Sequence, residues 1–255
     1  MGRMNHLETF ARAGFAARGI VYLLLGYFAW TTGGGEATTT VMERLHDMPL
    51  GTPLLFLIAF GLFGYGLFRL YGAWTDAKGK GSDAKGLFGR TGPAMSGVAH
   101  LFLTMLAVKI ALDIGQGGGG GERAMADGAM DLPGGTILVA LAGLVGIAAG
   151  IGNFVKAWNC EFMSDLASGT PQLARAAGRA GYAARGVVFG LIGWQIVSLA
   201  IGWSDRQLGM ESALLQLRSR DWLFPLVALG LGAFGVFSLI MARYAQIRTG
   251  DAAAS

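Results

Sequence analysis

The chain has 255 residues, of which 53% are hydrophobic and only 14% are charged, whereas soluble domains carry roughly 25% charged residues. Its mean hydropathy is +0.49. This composition excludes a water-soluble enzyme, a disordered chain and a disulfide scaffold, and the only cysteine, Cys160, cannot form an intrachain disulfide. The net charge of +4 is better explained by membrane topology than by nucleic-acid binding, so no nucleic-acid partner is expected.

Six apolar stretches are long enough to cross a hydrocarbon core of ~30 Å, which takes about 20 residues of helix. Since lipid offers the backbone no hydrogen bonds, we predict helices rather than strands. The predicted fold is therefore all-α, a polytopic integral membrane protein in which residues 1–255 form a single membrane domain. In chain order the predicted spans run from Gly14 to Thr32, Leu50 to Trp74, Pro93 to Ile114, Pro133 to Trp158, Gly181 to Trp203 and Trp222 to Ile247.

The connectors between the spans alternate in charge. Residues 33–48 and 115–131 are glycine-rich and carry acidic residues. The other two long connectors are basic, with Lys78, Lys80, Lys85 and Arg90 in one and Lys156, Arg175 and Arg179 in or beside the other. Most of the 20 Lys and Arg residues fall on the side that holds both chain ends. By the positive-inside rule, we expect a bacterial inner-membrane protein with cytoplasmic N- and C-termini. The exceptions on the opposite side are Arg44, Lys109, Arg123, Arg206, Arg218 and Arg220.

A motif at the start of the first span returns twice later in the chain. Residues 12–22 (RAGFAARGIVY) match residues 179–189 (RAGYAARGVVF) and, more weakly, residues 90–100 (RTGPAMSGVAH). The repeated unit is a two-helix hairpin, at about residues 8–76, 86–160 and 175–247. Because each unit contains an even number of crossings, all three share one orientation and are expected to pack around a pseudo-threefold axis. The second helices align at Gly66, Gly150 and Gly235, at Arg69, Asn153 and Ser238, and at Ala73, Ala157 and Ala242.

The repeated Arg-x-Gly-[Phe/Tyr]-Ala-Ala-Arg-Gly start, the three hairpins and the Gly-aromatic-Gly second helices resemble a family of bacterial membrane proteins. This is domain-of-unknown-function family 1206 (DUF1206), and the resemblance covers about residues 8–247. The middle copy departs from the pattern, with Ser96 where the other copies have Arg18 and Arg185. The resemblance implies an architecture and no agreed activity.

Arg18 and Arg185 are candidates for a functional site within the membrane. Each lies six residues, or about 9 Å of helix, beyond the arginine that opens its motif. An arginine at the bilayer centre costs roughly 2.5–3.5 kcal/mol, which makes it a functional candidate by default. Two roles stay open: a guanidinium group that extends back to the headgroups as an anchor, or one that binds an anionic lipid or lines an anion path.

The next turn of each first helix carries Tyr22, His100 or Phe189, four residues after Arg18, Ser96 or Arg185. Residues four apart share a helix face, so this face is a feature of the repeat. His100 is predicted to lie near mid-membrane, either as a hydrogen-bonded packing residue or in proton handling. Since no second histidine lies at that depth, bis-histidine haem ligation is excluded.

Two further sets of polar residues are candidates for either a functional or a structural role. Arg69, Asn153 and Ser238 form either a polar ring that faces inward or interhelical hydrogen bonds worth roughly 1 kcal/mol each. Lys109 and Asp113, four residues apart at the outer end of the third span, form either a solvated ion pair or an external gate or cation site.

The sequence contains no hydrolase or metal motif, so we predict no catalytic residues, metal or cofactor and no enzymatic activity. The favoured function is a non-catalytic membrane scaffold, accessory or lipid-binding protein. Its expected partners are membrane lipids, some of them anionic, and a membrane protein or a second copy of the chain. The alternative is a small channel or transporter whose axis is lined by Arg18, Arg69, His100 and Arg185; an intramembrane enzyme is a third, weaker hypothesis.

Overall fold

The computed structural model describes residues 2–32, 38–77, 79, 81–114, 121–203, 208, 210–218 and 222–247. Within these residues the fold is all-helical, apart from one isolated β-bridge between Leu166 and Ala245. Six long helices have the length and apolar composition to cross a membrane, so the chain is a multi-pass membrane protein. They are α1 (Gly2–Thr32), α3 (Gly51–Trp74), α4 (Ala84–Ala111), α6 (Gly135–Asn159), α7 (Leu173–Ala200) and α9 (Leu223–Tyr244).

The first helix of each hairpin begins earlier than the sequence predicted. The expected starts at Gly14, Pro93 and Gly181 lie well inside α1, α4 and α7. Apolar character ends where the hydrocarbon core ends, but backbone hydrogen bonding continues into the interface, where charged side chains are solvated. Hydropathy therefore indicated the most apolar part of each helix and not the residue at which the helix begins.

Arginines in these early turns bind the C-terminal ends of neighbouring helices. Arg90 Nε and Nη2 donate to the carbonyl oxygens of Ala73 and Trp74 at 2.7 and 2.6 Å. Arg12 Nη1 donates to Ala242 O at 2.9 Å and to Arg243 O at 2.7 Å. Arg12 and Arg90 are equivalent in the repeat, as are Ala242 and Ala73. Each guanidinium group thus satisfies carbonyl oxygens that a helix end leaves without partners.

Three short helices, absent from the sequence-based prediction, each follow the first spanning helix of a hairpin. They are α2 (Thr38–His46), α5 (Gly121–Met130) and α8 (Met210–Arg218). Met42 and Leu45 of α2 and Leu214 and Leu217 of α8 are buried. These helices are only nine or ten residues long, too short to be stable alone, so it is packing on the spanning helices that stabilises them.

The spanning helices contact one another in the order α4, α3, α1, α9, α7 and α6, with no extensive contact between α4 and α6 among the described residues. The arrangement is an open arc, so these contacts do not confirm the expected pseudo-threefold axis. Three contacts join the second helix of one hairpin to the first helix of another: α3 with α4, α6 with α7, and α9 with α1. We call these three contacts the seams.

Repeat-equivalent glycines meet at every seam. A Cβ atom added to Gly66, Gly150 or Gly235 would lie only 2.8–3.1 Å from a carbonyl oxygen of the facing helix. That oxygen belongs to the glycine that directly follows Arg18, Ser96 or Arg185 in the repeated motif. Glycine is required at these sites because the two backbones touch. The facing pairs are Gly66 with Gly97, Gly150 with Gly186, and Gly235 with Gly19.

The first and third hairpins are each held together by three aromatic rings at equivalent positions. Centroids within each triad lie 5.1–6.5 Å apart. The triads are Phe15, Tyr65 and Phe68 in the first hairpin and Tyr182, Phe234 and Phe237 in the third.

The middle hairpin has no ring at any of these positions. The equivalent residues are Pro93, Ala149 and Gly152. Val145 also replaces Gly61 and Gly230, the glycines at which the other two hairpins close tightly. Because these rings and this glycine are absent, α4 and α6 lack the side-chain and backbone contacts that join the two helices of the other hairpins. Each packs instead on a helix of the neighbouring hairpin.

Candidate functional site

Each seam carries one arginine and one uncharged polar residue at matching heights. In the first helices the repeat-equivalent positions hold Arg, Ser and Arg, and in the second helices they hold Arg, Asn and Ser. Where the middle motif loses its arginine at Ser96, the facing helix supplies Arg69. We call these six residues the arginine layer: Arg18 with Ser238, Arg69 with Ser96, and Arg185 with Asn153.

Arg18 is buried, with 6% of its surface exposed, and its three nitrogens each donate to an uncharged partner. Nε donates to Ser238 Oγ at 3.1 Å and Nη1 to the Tyr65 hydroxyl at 2.7 Å. Nη2 lies 3.6 Å from the sulfur of Met241. The guanidinium carbon also lies 5.0 Å from the Phe15 ring centroid. The side chain of Arg18 therefore points into the helix bundle.

Arg69 and Arg185 are half-buried, and the Nε atom of each is buried without a hydrogen-bond acceptor. Arg185 lies over the Phe234 ring at 4.4 Å, and Arg18 lies 5.0 Å from the same ring. The ring of Tyr65 is shared in the same way by Arg18 at 4.9 Å and Arg69 at 6.0 Å. Two aromatic rings thus bring three guanidinium groups into one region.

No carboxylate within the membrane spans is available to neutralise these cations. Apart from Glu8, at the very start of the first span, the six spans contain no Asp or Glu. Glu8 pairs with Arg12 at 2.7 Å. An arginine that is removed from water and lacks an opposite charge is costly. The region therefore has the chemistry of an anion site.

Three further candidate residues each donate a hydrogen bond to a carbonyl oxygen of their own helix. His100 Nδ1 donates to the carbonyl oxygen of Ser96 at 2.6 Å, and its ring lies 4.6 Å from Tyr65. Asn153 Nδ2 donates to Ala149 O at 2.7 Å, and Ser238 Oγ to Phe234 O at 2.8 Å. His100, Asn153 and Ser238 are all buried. The contacts of His100 fit a packing role.

Tyr22 lies one turn beyond Arg18 and joins the same region. Its ring packs edge-on against Phe234 at 4.8 Å and lies 5.6 Å from the Arg185 guanidinium carbon. Phe189, its repeat equivalent, lies 4.9 Å from that carbon. The Arg185 charge is therefore surrounded by ring faces, which attract a cation but supply no counter-charge.

Lys109 and Asp113 lie apart from this region, at the far end of α4, and both are exposed. The Asp113 carboxylate is 3.2 Å from Nε2 of His46, at the end of α2. The contact ties a short helix to a spanning helix. The predicted pair of Asp113 with Lys109 stays a prediction.

The sequence-based prediction missed the aromatic residues that organise the site. Tyr65 and Phe234 precede Arg69 and Ser238 by four residues, so they share a helix face with them. They are equivalent in the repeat, which was the available signal. Within the described residues, no group of three or more His, Cys, Asp or Glu side chains could hold a metal ion.

Comparison with known proteins finds one matching family and one similar protein. A family model described as "Domain of Unknown Function (DUF1206)" matches residues 13–76, 91–159 and 180–245, one segment for each hairpin. A Bacillus subtilis (strain 168) protein named "Uncharacterized protein YxxB" is 29% identical over 252 residues, which covers 93% of this chain and 91% of that protein. No solved structure matches the chain.

Proposed function

Since the chain belongs to the family described as "Domain of Unknown Function (DUF1206)", a description that names no activity, we propose a function from the arginine layer. The protein is a non-catalytic membrane accessory protein that binds the phosphate group of an anionic lipid. It lies in the bacterial inner membrane with both termini in the cytoplasm, as the distribution of Lys and Arg supports. Its lipid-facing surface is also the place where a membrane protein partner or a second copy would bind.

One observation carries this proposal: three arginines meet on two aromatic rings, and the surrounding spans hold no carboxylate except Glu8, which pairs with Arg12. Each nitrogen of Arg18 donates to a neutral acceptor, whereas Arg69 and Arg185 each keep a buried Nε without one. A phosphate group supplies both the missing charge and the missing acceptors. Its oxygens match the planar guanidinium fork, which makes arginine well suited to phosphate recognition.

A small channel or transporter is the second candidate, favoured by the repeat itself. Arg18, His100, Asn153 and Ser238 are buried polar residues at corresponding levels of the bundle, as an axial path would need. The packing around Arg18 weighs against it, because Phe15, Tyr65 and Phe234 surround the guanidinium group. A path for ions would require these rings to move.

Lipid retention tests the proposal. The protein is exposed to equal amounts of phosphatidylglycerol and phosphatidylcholine and analysed by native mass spectrometry. We expect the wild type to retain phosphatidylglycerol. The double variant Arg69→Gln/Arg185→Gln is expected to lose it, because it lacks the two Nε donors that have no acceptor within the protein. Arg175→Gln is the matched control, because Arg175 is an exposed arginine at the start of α7.

Equal retention of the two lipids by the wild type would contradict the proposal. The channel alternative is tested separately by chloride and phosphate flux into proteoliposomes. A flux above that of empty vesicles, abolished by Arg18→Ala/Arg185→Ala and unchanged by Arg175→Gln, would favour the channel over the lipid-binding function.

A further inference from the structure

The absence of three aromatic rings from the middle hairpin leaves a groove between α4 and α6. A Cβ atom built on Gly92 or Gly152 would meet nothing within 4 Å. The equivalents of Gly92 in the other hairpins, Gly14 and Gly181, lie directly against Tyr65 and Phe234. Ala149, which replaces these two aromatic residues, is exposed. The groove is therefore open where its counterparts are filled.

The groove leads toward the arginine layer. On α6, Ala149 is followed one turn later by Asn153, whose amide bonds back to it. On α4, Gly92 is followed one turn later by Ser96, which belongs to the same layer. Ser96 lies at the seam with Arg69, and Asn153 at the seam with Arg185. The two guanidinium groups that lack an acceptor at Nε thus belong to the two seams that flank the groove.

We propose that this groove is the lateral entrance and binding site of one lipid molecule. Its phosphate binds Arg69 and Arg185, and an acyl chain occupies the space that rings fill in the other hairpins. This inference rests on the proposed function and adds where the lipid enters and which helices hold it. Groups that line the path are Gly92, Pro93, Ser96, Ala149, Gly152 and Asn153.

Charge decides in favour of a lipid over a second copy of this chain. Beyond Glu8, the spanning segments of a second copy contain no Asp or Glu to offer. Such a helix would fill the apolar part of the groove and leave the arginines unneutralised. A lipid supplies apolar volume and negative charge in one molecule, and it can enter from the bilayer without leaving the membrane.

Ala149→Phe tests the entrance without touching the arginines. The new ring restores the residue type found at both equivalent positions, so we expect it to fill the groove and abolish retention of phosphatidylglycerol in native mass spectrometry. Leu144→Phe is the matched control on the same helix. Leu144 is 53% exposed, and its repeat equivalents Phe60 and Leu229 are exposed to similar extents, 54% and 57%. The control is expected to retain lipid as the wild type does.

A cross-linking measurement shows whether Ala149→Phe folds as intended. In a Cys160→Ser background, cysteines at Gly92 and Val145 are expected to cross-link in the Ala149→Phe protein and not in its parent, because the filled groove draws α4 and α6 together. If the Ala149→Phe protein cross-links and still retains as much lipid as Leu144→Phe does, the proposal that the groove is the lipid entrance would be overturned. If Arg69→Gln/Arg185→Gln still loses the lipid, the proposed function would nevertheless stand.

Two further outcomes distinguish other occupants. Displacement of the lipid by millimolar inorganic phosphate would show that a free anion is the ligand and would overturn the lipid assignment. A dimer that disappears in Ala149→Phe and persists in Leu144→Phe would show that a second copy occupies the groove, which would overturn it as well.

Discussion

Arg18 and Arg185 hold matching positions in two repeats but have different surroundings. Each nitrogen of the Arg18 guanidinium group donates one hydrogen bond, to a hydroxyl, a phenol and a thioether, whereas the Nε atom of Arg185 is buried without an acceptor. The same residue type therefore has two physical roles. Arg18 joins α1 to its neighbours α3 and α9, and Arg185 keeps a buried donor to which we propose that an anion binds.

Substitution by glutamine is expected to separate these roles. In lipid-free detergent, Arg18→Gln should lower the free energy of unfolding by about 2 kcal/mol or more, because it breaks three interhelical hydrogen bonds, one of them to a sulfur, and three cation–ring contacts. Arg185→Gln should change it by less than about 1 kcal/mol, since it removes an unsatisfied donor along with its ring contacts. Denaturant unfolding followed by circular dichroism measures both. Equal losses of stability in the Arg18→Gln and Arg185→Gln proteins would contradict the assignment of different roles to the two arginines.

At the residue scale, the sequence identified which polar side chains matter but not their partners. Alignment of the repeats was sufficient to select Arg18, Arg185 and Ser238. That Arg18 donates to Ser238 follows from the contact of α1 with α9, helices separated by most of the chain. No local pattern encodes that contact, because it depends on how the third hairpin closes on the first.

At the scale of elements, backbone contact at the seams sets the distance between hairpins. Gly235 and Gly232 lie on the same helix, yet a Cβ atom at Gly235 would lie 2.7 Å from the backbone nitrogen of Leu23, whereas at Gly232 it would meet nothing within 4 Å. The helix sequence alone makes the two glycines look alike. Only the facing helix distinguishes them.

Alanine at each position is expected to have opposite effects. Gly235→Ala should destabilise the protein by about 1–3 kcal/mol, because the seam must open to admit the methyl group. Gly232→Ala should be neutral or stabilise by about 0.5–1 kcal/mol, the usual gain when glycine inside a helix becomes alanine. Thermal unfolding in one detergent compares them. A stable Gly235→Ala protein would show that the seam is looser than the structure indicates.

The C-terminal ends of α3 and α9 are stabilised by an arginine from another hairpin, Arg90 for α3 and Arg12 for α9. Arg90→Gln removes two hydrogen bonds to the end of α3, and we expect a loss of about 1 kcal/mol of stability. Hydrogen exchange should rise at residues 73–77 and not elsewhere in α3. Arg175→Gln removes an exposed arginine and is expected to leave this exchange unchanged; a rise in both proteins would contradict the capping role.

At the scale of the whole molecule, six crossings put both chain ends on one side of the membrane. Cys160 follows α6, on the side of the termini, and Asp131 precedes α6, on the opposite side. With cytoplasmic termini, a membrane-impermeant maleimide should label Asp131→Cys, in a Cys160→Ser background, in bacteria whose outer membrane has been permeabilised. Native Cys160 should react only after the inner membrane is disrupted. The reverse pattern would contradict the proposed orientation.

The sequence by itself determined the six spans, the three repeated hairpins and the family, because hydropathy and repetition are properties of the chain that no folding changes. It also placed the polar residues of each hairpin at equivalent heights. The tertiary structure decided that the helices form an open arc and that α4 and α6 stay apart. It also decided that Arg69 and Arg185 lack the partners that Arg18 has. These features depend on contacts between distant segments, where the volume of a ring or the absence of a Cβ atom determines which helices can meet.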